Sequence, residues 1–402
     1  MELPLNFSLK RIVALTSGIL MISLGALMLE IALTRLFSVM LAYHFVFIIV
    51  SVAILGLGIG AIFFRLVRAK IHPERSFSTL CKLSLIFALS TFIVTEFILK
   101  IPYTDFLIIY YVISFIPFFL VGVIFALVFD MFTEHSSKLY CASMFGSGIG
   151  SLAAVFFLNF FGANIMPMVG IISSVGALAF ASCSKKRSMV ASSLTAFLFF
   201  LAIFAAGLGG GYIGEINGGP TKTLFSVLKD PELRGRIART YWSAYSRTDL
   251  VELGSSPDIK LIFNDGGAGM EMFRFDGENF DNLAHLRSTS AFFPFYFGRN
   301  ENVLIIGPGG GKDVLIALMG GAKNIVAVEV NPDIVKIVRE ESDFNGGIYY
   351  RGDVRWVIDE GRSFVKRSNE RYDVIMLMLI YIYRRREGSS GLLAHGELYF
   401  HC

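Results

Sequence analysis

Seven apolar stretches crowd the first 213 residues, at about 12–33, 40–64, 80–99, 106–129, 139–161, 164–183 and 189–213. Each has the length of a bilayer-crossing helix, for which roughly 20 apolar residues suffice. Such a run of segments does not fold into one water-soluble core. The charge content agrees: 17% of the 402 residues are Asp, Glu, Lys or Arg, against about 25% in average soluble chains, and the mean hydropathy is +0.62. Most of the charge falls after residue 213. The sequence therefore divides into an N-terminal polytopic α-helical membrane bundle of about seven spans (1–213) and a soluble remainder.

Three basic clusters orient the spans. Lys10 and Arg11 precede the first, Arg65, Arg68, Lys70 and Arg75 follow the second, and Lys185, Lys186 and Arg187 follow the sixth. The positive-inside bias makes all three cytoplasmic, as in a multi-pass protein of a bacterial-type inner or plasma membrane. Seven spans then put the soluble half outside, away from any cytosolic ligand. Either one segment is re-entrant or miscounted, or the domain lies where its ligand is not. The first segment lacks a small-residue cleavage site and reads as an anchor. Net charge is +4 with no basic stripe, which excludes nucleic acid as a partner. Cys81, Cys141, Cys183 and Cys402 show neither disulfide nor zinc spacing, and no metal is expected.

Three glycine triplets stand out: "GLGIG" at 56–60, "GSGIG" at 146–150 and "GPGGG" at 307–311. The first two lie inside spans, where glycines four apart share a helix face and admit a second helix closely. Glu30, in the first span and five residues before Arg35, reads as an interfacial pair, with a substrate or proton site as the alternative. His44 reads as a packed or interfacial histidine.

The soluble half begins with "GGGYIGEINGGP", a flexible exit. In 214–298, "TDLVELG", "IKLIFND" and "MEMFRFDG" read as strands of a small β-hairpin subdomain. From 299 to 402 the pattern alternates: strand "NVLIIG", helix "KDVLIALMGGA", strand "NIVAVEV", helix "PDIVKIVREES" and strand "YDVIMLMLI". This alternation predicts a parallel, doubly wound α/β sheet. The third triplet occupies its first strand-to-helix turn, where glycines let a ligand meet the backbone. Glu329 ends the second strand, the position from which a carboxylate accepts ribose hydroxyls. A dinucleotide fold wants G-x-G-x-x-G; here Lys312 stands at the third glycine. The turn Gly307-Pro308-Gly309-Gly310-Gly311 instead suits a nucleoside with an amino-acid-like tail, such as S-adenosylmethionine.

"VLIIGPGGGKDVLIALMGGAKNIVAVEVNPDIVKIVR", "DEGRSFVKRSNERYDVI", "YWSAYSRTDLVEL" and "NDGGAG", with "LMLEIALTRLFS", "PFFLVGVIFALVF" and "LYCASMFGSGIGSL" upstream, resemble the spermidine synthase-like proteins that carry a multi-span N-terminal module. The resemblance implies a class I methyltransferase-like (Rossmann-like) fold with S-adenosylmethionine or its decarboxylated form in the turn. Gly307, Gly309, Gly310 and Gly311 would form the cradle and Glu329 would hold the ribose. Asp359 or Glu360, after the third strand, would face the adenine amino group; a solvated turn is the alternative for both.

The chain also departs from the pattern the resemblance implies. Met378 and Tyr381 stand where spermidine synthases carry aspartates, Gly310 replaces an acid in the glycine turn, Gly269 a cofactor-binding glutamine, and Ser143 an aspartate of the membrane module. Aminopropyl transfer needs an acid near the protonated amine, so no catalytic residue is assigned. The sheet also lacks sequence for strands beyond the fourth, and "RRREGSSGLLAHGELYFHC" has no strand or helix logic. A truncated domain, arising by a frameshift just after residue 380, accounts for both. Four functions stay open. They are a membrane-anchored transferase acting on polyamines, an inactive remnant whose membrane module binds or transports a small solute, an S-adenosylmethionine-dependent methyltransferase, and a nicotinamide oxidoreductase, which Lys312 disfavours. The expected partners are the lipid bilayer and a small nucleoside ligand.

Overall fold

The computed structural model describes residues 9–41, 46–100, 104, 106–162, 165–184, 186–208, 218–298 and 300–377. Seven helices occupy the seven apolar stretches: α1 (Leu9–Met40), α2 (Ile48–Val67), α3 (Ser76–Lys100), α4 (Ile108–Met131), α5 (Ser136–Phe161), α6 (Ile165–Ala181) and α7 (Arg187–Leu208). Six are long and apolar enough to cross a membrane; α6, at 17 residues, is the exception. Of the expected seven or so spans, six are thus long enough among the described residues, and α6 is the segment for which a re-entrant or miscounted span was left open. At 1.5 Å per residue α6 reaches about 26 Å, less than the roughly 30 Å of a hydrocarbon core. His44, the "GGGYIGEI" exit and everything after Leu377 lie outside the described residues.

Both membrane glycine pairs sit at helix contacts. A side chain at Gly60 would run into the Phe119 carbonyl of α4, and one at Gly122 of α4 into Leu57 of α2. Gly146 and Gly150 of α5 face the backbone of Leu20 and Leu24 in α1 in the same way. Gly58 and Gly148, in the middle of each triplet, meet nothing. The i, i+4 spacing therefore marks contact faces. Ser143 is buried on α5 and shares a hydrogen bond with Ser23 of α1 at 3.2 Å. Many outward-facing positions are apolar, among them Ile62, Leu66, Leu152, Phe156, Phe160 and Leu198. Glu30 is half-buried on α1.

By its internal contacts the chain forms two units, Met1–Gly219 with Trp242–Ala244, and Pro220–Tyr241 with Tyr245–Cys402. The second contains α8 (Thr223–Lys229) and an antiparallel sheet of β1 (Gly235–Trp242), β2 (Arg247–Leu253), β3 (Ile259–Asn264) and β4 (Ala268–Phe273), in that order. A parallel sheet follows, of β5 (Asn302–Ile306), β6 (Asn324–Glu329), β7 (Val354–Ile358) and β8 (Val374–Leu377), ordered β7-β6-β5-β8. Between its strands run α9 (Lys312–Met319), α10 (Pro332–Glu340), α11 (Ser342–Asn345) and α12 (Gly361–Arg367). Side chains alternate across β5. Val303 and Ile305 join Leu250, Ile262 and Met272 of the antiparallel sheet in one continuous core, while Leu304 packs with Val326 and Val328 on the opposite face, under Phe364 of α12.

Candidate functional site

The parallel order reverses beside β5, because the chain goes from β5 to β6 and β7 on one side and returns to β8 on the other. In such sheets the carboxyl ends of the strands at this reversal form a crevice suited to ligands. The glycine turn leaves β5 there. Gly307 donates its N–H to the Val328 carbonyl at 2.9 Å, extending the β5–β6 ladder by one residue. Gly309 and Gly311 then take left-handed backbone (φ 53 and 93), a region that strains any residue with a Cβ. Gly311 is the cap of α9, its carbonyl accepting from Leu315 N–H at 3.1 Å.

Gly310 has no such backbone requirement. Its constraint is space: a Cβ there would strike the Glu271 carbonyl of β4. The glycine standing in place of an acid at 310 is thus explained by the strand that crosses it. Gly269 is similar, since a side chain there would meet the Phe263 ring.

Glu329 ends β6 with its carboxylate turned to the bend. One oxygen accepts from Gly309 N–H at 3.4 Å and the other from Asn331 N–H at 3.0 Å. The side chain is 5% exposed; burial pushes its pKa above the usual glutamate value, against the pull of those N–H groups. Tyr349 lies on the same turn, donating its hydroxyl to the Gly309 carbonyl at 2.7 Å. Its own pKa is driven well up by burial and by the neighbouring charges of Glu329 and Asp313. Lys312, at the third-glycine position, is buried and paired with Glu271 at 2.9 Å.

Asn331 ties this turn to the antiparallel sheet. Its side-chain amide nitrogen lies 3.0 Å from each of the Ser246, Thr248 and Asn264 side-chain oxygens, among which its two N–H groups are shared, and its carbonyl oxygen accepts from Asp333 N–H at the start of α10. Behind Asn264, Asp265 and Gly266 make a left-handed turn (φ 45 and 64). The Asp265 carboxylate accepts from Arg247 N–H at 2.8 Å, and its carbonyl from the buried Lys222 ammonium at 2.8 Å. Burial lowers the Lys222 pKa.

Asp359 follows β7, and its N–H bonds the Glu329 carbonyl at 3.1 Å. Its carboxylate pairs with Arg367 and accepts from Glu360 N–H. Glu360 caps α12, accepting from Arg362 N–H at 3.0 Å and from Ser363 N–H and hydroxyl at 2.9 Å. Those bonds hold its pKa below the usual glutamate value. The fold thus brings Gly307, Gly309, Gly310, Gly311 and Glu329 together and puts the Asp359 backbone beside them, while both acidic side chains serve α12. Met378 and Tyr381 lie outside the described residues. The sequence reading missed Asn331 and Tyr349. "NPD" carries a helix-start signal that marks Asn331; nothing in the spacing marks Tyr349.

No family model matches the chain. It is 31% identical over 110 residues to the polyamine aminopropyltransferase of Buchnera aphidicola, covering 27% of this chain and 37% of that protein. With the polyamine aminopropyltransferase of Hamiltonella defensa it shares 27% over 134 residues, 29% of this chain and 46% of that protein. The chain spans less than half the length of these two relatives. A crystal structure of spermidine synthase from Thermotoga maritima overlaps 35% of this chain and 47% of its own, with 20% identity and a TM-score of 0.29. In sequence, the chain is spermidine synthase-like over the matched stretch.

Proposed function

We propose that this spermidine synthase-like chain is a membrane-embedded, transferase-type protein that binds S-adenosylmethionine or its decarboxylated form at the Gly307–Gly311 turn. The observation that carries the reading is the buried Glu329 carboxylate turned to Gly309 N–H at 3.4 Å. Each carboxylate oxygen has two acceptor sites, so the backbone donors at Gly309, Val330 and Asn331 leave capacity to accept from the ribose. The residues present fit such a group in kind: an acceptor pair for the sugar and a glycine turn for close approach. Asp359 or Glu360 would receive the adenine amino group, though both already serve α12. When bound, the sulfonium supplies an activated carbon; the chain's own residues grip and orient the nucleoside. The strand order β7-β6-β5-β8 supports a doubly wound, methyltransferase-like sheet, and six long apolar helices with apolar outer faces support embedding in a bacterial-type inner or plasma membrane.

A second reading is binding without aminopropyl transfer, as in an inactive remnant or a methyltransferase. The space beyond Gly310 favours it, because the Glu271 carbonyl leaves no room there for an acid that could hold the attacking amine. Calorimetric titration of the full chain in detergent with S-adenosylmethionine, its decarboxylated form and NADH tests the assignment. Saturable binding of at least one of the sulfonium nucleosides, with none of NADH, is expected. NADH binding alone, or no binding at all, overturns it. Product analysis with putrescine as amine acceptor then separates the two readings.

A further inference from the structure

A cavity of about 420 Å3 opens at the end of the antiparallel sheet remote from the Asp265–Gly266 turn, where Glu252 of β2 pairs with Lys260 of β3. Its size falls within the roughly 300–1,000 Å3 of small-molecule sites. Four cations line it, Arg234, Arg236, Lys260 and Arg274, against one acid, Glu252. Three of the cations have acidic partners. Arg236 bonds Glu252 at 3.0 Å, Lys260 bonds Glu252 at 3.1 Å and Glu341 at 2.7 Å, and Arg274 bonds Asp258 at 2.7 Å. Lys260 and Arg274 also lie over the Phe344 ring, at 4.8 and 4.7 Å from its centroid.

Arg234 differs. Its guanidinium has no acidic partner among the described residues. Its backbone is left-handed (φ 50), a conformation that costs an arginine strain and a glycine none. The loop holds it there by two hydrogen bonds, Arg234 N–H to the Asp230 carbonyl at 3.1 Å and Gly254 N–H to the Arg234 carbonyl at 3.3 Å. Arg234 is exposed at the cavity, and a strained backbone at such a place motivates a functional hypothesis.

The geometry points to an anion site in this cavity, in which the Arg234 guanidinium grips a phosphate group. Arg236, Lys260 and Arg274 are charge-balanced by Glu252, Glu341 and Asp258, which leaves the Arg234 charge to attract the anion. A guanidinium fork matches phosphate oxygens bidentately, and an arginine without an acid is the cation open to such a ligand. Leu253, Pro257 and Ile259 form an apolar wall for the rest of the molecule. None of the residues lining the cavity belongs to the glycine turn, and the site does not rest on nucleoside binding there.

Inorganic pyrophosphate titrated calorimetrically into the full chain in detergent, with chloride as the other anion, tests it, alongside short-chain phosphatidic acid as a second probe. The wild type binds saturably. Arg234→Gly binds roughly tenfold more weakly or worse, with an unchanged or raised melting temperature because the backbone strain is relieved. Arg234→Lys, which keeps the charge and loses the fork, falls between. Pyrophosphate binding alone assigns a soluble ligand, phosphatidic acid alone a lipid headgroup, and both a phosphate group open to either source. Failure of both probes on the wild type, or equal binding by Arg234→Gly, overturns the site.

Discussion

At the residue scale, Glu329 and Gly310 carry opposite kinds of information. Glu329 is a buried acid whose pKa is raised by desolvation. The folded state therefore favours its protonated form, a contribution to stability present below the ordinary glutamate value and lost as pH rises through the raised one. Thermal melts of wild type and Glu329→Gln should diverge at high pH, with Gln the more stable, and converge as pH falls. Ligand affinity should run the other way, weakening in the wild type as the acceptor carboxylate protonates, and calorimetry across the same range checks it. Gly310 is a matter of volume. Gly310→Asp places atoms against the Glu271 carbonyl and should cost about 1–3 kcal/mol, read as a lower melting temperature without any gain of transferase activity. The glycine turn and Glu329 were legible in the sequence because each occupies a fixed place relative to a continuous apolar strand. Asn331 and Tyr349 were harder to read because their roles depend on partners far along the chain: Ser246, Thr248 and Asn264 for one, the Gly309 carbonyl for the other.

At the scale of elements, the same contrast explains which segments declared themselves. Strands β5 and β6 are unbroken apolar runs flanked by strands on both sides, so composition alone marks them. Strand β1 went unread: it is an edge strand with Arg236, Ala238, Arg239 and Thr240 exposed, and carries no apolar alternation. The short α6 has the composition of a span, and only its length of 17 residues sets it apart. In the membrane helices the glycine spacing makes a position-by-position prediction. Gly150→Leu and Gly60→Leu should each destabilise the helical unit by about 1–3 kcal/mol or more, read as a lower melting temperature in detergent, because the facing backbone leaves no room. Gly148→Leu and Gly58→Leu point into open space and should change it little. Equal effects at both members of a triplet would show that the contacts lie elsewhere.

For the whole molecule, two units with different chemistry sit on one chain: a helical unit with apolar outer faces, and an α/β unit whose charged groups are largely paired. The first predicts retention in the membrane fraction after an alkaline carbonate wash, with release only by detergent; release by carbonate alone would contradict the bilayer reading. The nucleoside binding proposed for the second rests on a single grip, the Glu329 carboxylate on a ribose. A double-mutant cycle measures it most directly, using wild type and Glu329→Ala with S-adenosylmethionine and its 2′,3′-dideoxy analogue. In the wild type, loss of the hydroxyls should weaken binding by about tenfold or more, the worth of a hydrogen bond to a charged group. In Glu329→Ala the two ligands should bind alike. The same ratio in both proteins would mean that the carboxylate and the sugar never meet.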